Sequence, residues 1–160
     1  MSEKLTREDI KKIEEEIEHR KLVVRPEAID AVKEARAQGD LSENFEYYAA
    51  KRDKNKNESR INYLERVLRT ATVIEDTVGE GEVGLEKRVE LLFVEEGERE
   101  VYKIVTPIRA DSIAGRISID SPLGHALIGH KVGDTVPVGD YHVQILSVTR
   151  DDGQEEINSF

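Results

Sequence analysis

The segment "ARAQGDLSENFEYYAAK", Ala35–Lys51, decides how the first half of the chain folds. Before it, Ile10, Ile13 and Ile17, then Ile29, Val32 and Ala35, recur at helical spacing. Gly39 interrupts that pattern. Beyond it the period resumes with Phe45, Tyr48 and Ala49 and strengthens at Ile61, Leu64, Leu68 and Ala71. Neither stripe can be buried alone, and a break spanning Gly39 to Asn44 is short enough for the chain to double back. An antiparallel helical hairpin about 45 Å long is therefore expected, with the quoted segment at its tip.

Working outward, Thr6 and Asp9 form a capping-box pattern at the start of the first helix. Pro26 lacks a backbone donor and should kink that helix or begin a second segment. After Val73 and Ile74 the hydrophobic period changes from helical to two. "VELLFV" and "VYKIV" flank the turn-like "EEGERE", while "GRISID", "TVPV" and "YHVQILSV" supply further strands. Ser121 and Pro122 fit the N-cap and first residue of a short helix ending at Gly129. The fold class is thus α+β: an N-terminal antiparallel coiled-coil hairpin over residues 1–76 and a compact β domain with one short helix over residues 77–160.

In 160 residues, 38% are hydrophobic, 36% are charged and none is cysteine. Disulfides, thiolate nucleophiles and thiolate metal sites are excluded, and a reducing compartment fits. No apolar run approaches the roughly 20 residues of a membrane span, so a cytoplasmic protein without a membrane partner is expected. The net charge of −10 is unevenly spread. Residues 1–77 hold 16 Lys and Arg against 18 Asp and Glu, whereas residues 78–160 hold 8 against 16. Against that background the local run "KRDKNKNESR" stands out.

Several motifs dissolve on inspection. Gly79, Gly81 and Gly84 satisfy G-x-G-x-x-G, but Glu80 and Glu82 would repel a pyrophosphate and a strand pattern follows where a helix is required. "NES" at Asn57 matches a glycosylation sequon within a helical stretch. His125 and His130 are spaced by five, not the three or four that would align two ligands on one helix face. No serine sits in a nucleophile-elbow pattern.

Two features carry alternative readings. Asp40 and Glu43 have capping-box spacing, and negative charge at a helix start is favoured by the dipole. Equally, two carboxylates at the end of a long arm are hard oxygen ligands suited to Mg²⁺, with the remaining ligands supplied by a partner. Arg52, Lys56 and Arg60, at successive spacings of four, are either a solvated face or a contact for an RNA backbone.

Three blocks, "RPEAIDAVKEARAQGDLSENFEYYAAK", "ESRINYLERVLRTATVI" and "GRISIDSPLGHALIGHKVGD", resemble in order the bacterial Gre transcript cleavage factors, the GreA/GreB family. The resemblance implies a coiled coil followed by an FKBP-like β domain. It implies a monomer that binds an RNA polymerase elongation complex through the secondary channel and acts on the 3′ end of the nascent RNA. It also implies that Asp40 and Glu43 are donated to the polymerase active site, where they help hold its second Mg²⁺ and orient an attacking water. On this reading the protein is not itself an enzyme and has no cofactor of its own. Asp120, Ser121 and Pro122 match the family's polymerase-docking segment, and the same residues also read as the helix cap. Relatives of the GreA kind carry an apolar pair where this chain has Lys56 and Asn57, so looser packing in mid-arm is expected, with the extra cations serving RNA. A Gre-shaped inhibitor that occupies the channel without cleavage is the alternative, and a helical chaperone or scaffold is a third.

Overall fold

The computed structural model describes residues 3–39, 44–75, 79–151 and 157. They fall into two compact units: Ile10–Ala71, and Glu3–Asp9 together with Thr72 onward.

The first unit is the helical hairpin. Its outgoing limb comprises α1 (Arg7–His19), a π-helical segment (Arg20–Val24) and α2 (Arg25–Ala37). The returning limb is α3 (Phe45–Thr70), 26 residues or about 39 Å. Pro26 lies in the first turn of α2, as expected of a residue that begins a second segment, although the backbone stays helical across the join. His19, Val24 and Arg25 all keep right-handed helical torsions, and the wider π winding lies just ahead of the ring, where an α-helix would clash. Pairs across the seam have nearly constant summed residue numbers, the signature of antiparallel limbs: Arg20 with Asn57, Arg25 with Glu58, Arg36 with Tyr47.

The apolar part of the seam is thin. Ile13, Ala35, Tyr47, Ile61, Leu64 and Val67 are buried. The apolar stripe expected at Phe45, Tyr48 and Ala49 is not the buried one: all three are exposed, and Tyr47 turns inward instead. Tyr47 is selected by polar partners that helical periodicity does not weigh, since its hydroxyl accepts from Arg36 Nη2 at 3.3 Å and its ring lies under the same guanidinium.

The second unit is built on a five-stranded sheet of order β5-β4-β3-β7-β6. Its strands are β3 (Lys87–Phe93), β4 (Glu98–Val105), β5 (Arg116–Ser118), β6 (Thr135–Val138) and β7 (Tyr141–Arg150). Only β4–β5 is parallel. β6 and β7 meet at the two-residue turn Gly139-Asp140, where Gly139 has φ of 58°. Pro137 sits in β6, an edge strand, where its missing donor costs no central ladder bond. Leu146 is the extra residue of a β-bulge opposite Glu90 and Leu91. The core gathers Val83, Val89, Leu91, Ile104, Leu127, Val136, Val138, Val143 and Ile145, with Leu127 contributed by α4 (Pro122–Leu127). β1 (Lys4–Leu5) and β2 (Thr72–Val73) form a separate parallel pair too short to leave a period in the sequence.

The expected capping box at Thr6 and Asp9 is present: Thr6 N donates to Asp9 Oδ2 at 2.9 Å and Asp9 N to Thr6 Oγ1 at 3.2 Å. Asp9 has a further task. It is fully buried and accepts from Thr106 Oγ1 at 2.7 Å and Arg109 Nε at 2.6 Å. Arg109 also pairs with Glu86, which pairs in turn with the fully buried Lys103 at 3.4 Å. Glu86 is held at φ of 65°, an uncommon state for a residue with a Cβ. Bonds from Glu86 N to Ile104 O and from Asp151 N to Glu86 O fix it from both sides. Because one-sided removal takes a carboxylate out of a fully buried charge cluster and leaves Thr106 Oγ1 and Arg109 Nε without their acceptor, Asp9→Ala should cost about 3–5 kcal/mol in urea unfolding.

Candidate functional site

The tip of the hairpin is framed by the end of α2 and the start of α3. Gly39, at φ of 121°, takes a torsion that only glycine accepts readily. On the returning side Asn44 is the N-cap of α3: its Oδ1 accepts from Tyr47 N at 2.9 Å. Asn44 Nδ2 donates to Ala35 O at 2.5 Å, so one side chain caps α3 and ties it to the last turns of α2. The expectation that Asp40 caps this helix is therefore corrected. Asp40 has capping-box spacing to Glu43, but Asn44 is the residue whose amide reaches both limbs. Asp40 and Glu43 themselves lie outside the described residues.

Behind the tip, the three expected RNA-contacting cations separate. Arg52 and Lys56 are exposed on the outer face of α3. Arg60 is not available in that way. Its side chain is 6% exposed and lies in the seam, with Nε donating to Glu16 Oε2 at 2.9 Å. A spacing of four drifts round the axis by about 40° per step, and the two steps from Arg52 to Arg60 carry the stripe from the outer face into the seam. Glu16 also accepts from Arg20 Nε at 2.7 Å. Burial alone would raise the Glu16 pKa, but the hydrogen bonds from Arg60 and Arg20 outweigh it and hold the carboxyl below its usual range.

Asn57 changes the picture of mid-arm packing. It is buried, its Oδ1 accepts from Arg20 Nη1 at 3.0 Å and its Nδ2 donates to Arg20 O at 3.2 Å. The side chain thus binds the opening carbonyl of the π segment. In place of the looser contact expected from losing an apolar residue, the seam has a polar clamp. Nearby, Arg25 grips Glu58 through two bonds of 2.8 Å and holds that carboxyl below its usual pKa.

The segment expected to dock, Asp120, Ser121 and Pro122, lies in the second unit. Asp120 is exposed and pairs with Lys4 at 3.1 Å. Ser121 is the N-cap of α4, accepting from Gly124 N at 3.0 Å and donating to Ser118 O at 2.7 Å, and Pro122 follows as the first helical residue. Here the cap reading is realised, and it holds Pro122 outward at the surface. A Cβ on Gly124 would fall 2.1 Å from Ser118 O.

The remaining motifs take up structural positions. The glycines 79, 81 and 84 lead through turns into β3, and Lys87 Nζ donates to Gly79 O and Glu82 O at 2.7 and 2.8 Å. His130 contacts Asp134 at 3.2 Å and His142 contacts Glu95 at 2.6 Å. Among the described residues no group of three or more His, Cys, Asp and Glu is placed to hold a metal, and no helix is long and apolar enough to cross a membrane.

Two outcomes are expected. Gly124→Ala should lower stability by about 1–3 kcal/mol in thermal or urea unfolding, because the added methyl meets backbone. The lowered Glu16 pKa means that its contribution to stability is present above the unfolded-state pKa and lost as pH falls through the folded one. Glu16→Gln should therefore flatten the acid limb of a stability–pH curve.

Comparison with known proteins places this geometry. The family model described as "Transcription elongation factor, N-terminal" matches residues 3–73, and that described as "Transcription elongation factor, GreA/GreB, C-term" matches residues 78–150. Transcription elongation factor GreA of Streptococcus sanguinis is 46% identical over 151 residues, covering 91% of this chain and 94% of that protein. GreA of Streptococcus pneumoniae serotype 19F matches to the same extent, 46% over 91% and 94%. Among solved structures, GreA factor homolog 1 of Thermus thermophilus aligns at 32% identity over 92% of this chain and 99% of that one, with a TM-score of 0.43. With both halves matched in order and close to half of the aligned residues shared, the chain belongs to the GreA/GreB family of transcription elongation factors.

Proposed function

We propose that this elongation factor stimulates cleavage of backtracked RNA by RNA polymerase, lending Asp40 and Glu43 to the polymerase's own active site through the secondary channel. The observation that carries the reading is the division of labour at the hairpin end. Asn44 caps α3 and ties it to α2, so the N-cap position is filled by a residue other than the two acids of the connecting segment.

Two carboxylates are hard oxygen donors but too few to hold Mg²⁺ tightly alone, which suits a shared site rather than a resident one. A metal in such a site supplies charge neutralisation and a bound water of lowered pKa. The chain's share is to bring two anions on a slender rod and to hold them in register. Arg52 and Lys56 lie on the outer face of α3, beginning two turns behind its start, where they would meet the phosphates of an extruded strand. Asp120, Ser121 and Pro122 present a rigid corner for docking on the polymerase rim, with Pro122 held out by the Ser121 cap. The protein has no complete active site in this scheme and works as a monomer.

The test is RNA shortening in stalled elongation complexes. Asp40→Asn should melt like the wild type and lose most cleavage, since the amide is a poor Mg²⁺ ligand. Retained cleavage would overturn the proposal. Slowed nucleotide addition without RNA shortening by the wild type would identify an inhibitor of the channel instead.

A further inference from the structure

The second unit has a small pocket where the turn between β3 and β4 meets the start of β7. Its volume is about 210 Å³, and it is lined by Phe93, Glu95, Glu96 and Tyr141. Phe93 and Tyr141 stack with ring centroids 5.8 Å apart and planes 28° from parallel, and Tyr102 meets Phe93 edge to face at 6.5 Å. The three rings back onto the core and stay partly open to solvent, while both carboxylates are exposed.

Most of this wall is fixed before anything binds. Gly97 N and Glu96 N both donate to Phe93 O, at 2.8 and 3.2 Å, and Val94 N donates to His142 O at 3.0 Å. Glu95 accepts from His142 N at 3.0 Å and faces His142 Nδ1 at 2.6 Å. The bond to the His142 ring, followed by that from its backbone N–H, holds the Glu95 carboxyl below its usual range. Glu96 is in no ion pair among the described residues. Little ordering is left to oppose a ligand.

Two carboxylates beside two ring faces select what can enter. An anion is repelled, the more so because residues 78–160 hold 16 Asp and Glu against 8 Lys and Arg. An apolar group would desolvate the carboxylates without replacing their bonds to water. A hard metal ion seeks an oxygen shell that two carboxylates and two hydrocarbon walls do not supply. An organic cation satisfies both kinds of wall, and a guanidinium suits them best, being planar, weakly hydrated, able to stack on a ring and to pair with carboxylates. Free arginine fits poorly, because its own carboxylate would meet Glu95 and Glu96. An arginine within a polypeptide carries no such charge.

We infer that this pocket receives an arginine side chain of a protein partner, with the guanidinium on the Tyr141 ring and paired to Glu96 and Glu95. The site is separate from Asp120, Ser121 and Pro122, none of which lines it, and it stands independently of the cleavage reading.

The test is amide NMR on the full chain, titrated with N-acetyl-arginine N-methylamide. Saturable shifts should centre on residues 93–97 and 141–142, with a dissociation constant on the order of 1–10 mM for so small a probe. The matching lysine derivative and free arginine should each bind about 5-fold more weakly. Glu96→Gln, at an exposed position, should melt like the wild type and weaken binding about 3- to 5-fold. Tyr141→Leu should weaken it about 5- to 10-fold, and Tyr141→Phe, which keeps the π face, should not. Should Tyr141→Leu lose stability, Glu96→Gln and the contrast between arginine and lysine decide. Absence of saturable shifts at these residues, undiminished binding by Glu96→Gln, or lysine equal to arginine would each overturn the inference. Spermidine binding more tightly than the blocked arginine would assign the pocket to a free polyamine and overturn it too.

Discussion

Glu16 accepts guanidinium groups from its own limb, Arg20, and from the opposing limb, Arg60, while Asn57 closes the same cluster by bonding both the side chain and the carbonyl of Arg20. A two-helix arm has little interior, so apolar burial specifies its register weakly. Sliding one limb by a turn would exchange one small hydrophobic contact for another. It would also strand a buried guanidinium and a buried amide, each far more costly than a lost methylene. The place at which α2 hands over to α3, and hence where the connecting segment falls, is fixed by this polar cluster.

The sheet unit relies on a related device. Arg109 is a hub for Asp9 and Glu86, and Glu86 reaches the fully buried Lys103. Asp9 thereby serves two structures at once, as the return partner of the Thr6 capping box and as the counter-ion of Arg109. The first residues of the chain accordingly belong with Thr72 onward, and the β1–β2 pair adds backbone bonds to the same grouping. Satisfied charge clusters of this kind add orientation more than net stability.

How much of this was legible in the sequence depended on the range of the forces involved. The Thr6 and Ser121 caps, the strands and the hairpin were readable because each rests on neighbours within a few residues. Tyr47 in place of Phe45 and Tyr48, and Arg60 in the seam, were not. Both are decided by partners on the opposing limb, Arg36 and Glu16, which no local period reports. The cap of α3 was misassigned for a similar reason: Asp40 has the right spacing, but Asn44 can bond the other limb as well. Arg109, buried and paired to a residue 100 positions away, left no local signal at all.

The π segment between Arg20 and Val24 takes up slack in the arm. A π turn takes up one more residue than an α turn for nearly the same rotation and advance, so the extra residue is absorbed where it stands. The limb beyond keeps the bearing and reach of an α-helix one residue shorter. Removal of one residue within Arg20–Val24 would therefore leave α2 facing α3 almost as before, whereas the same deletion inside α1 or α2 would turn everything beyond it by about 100°.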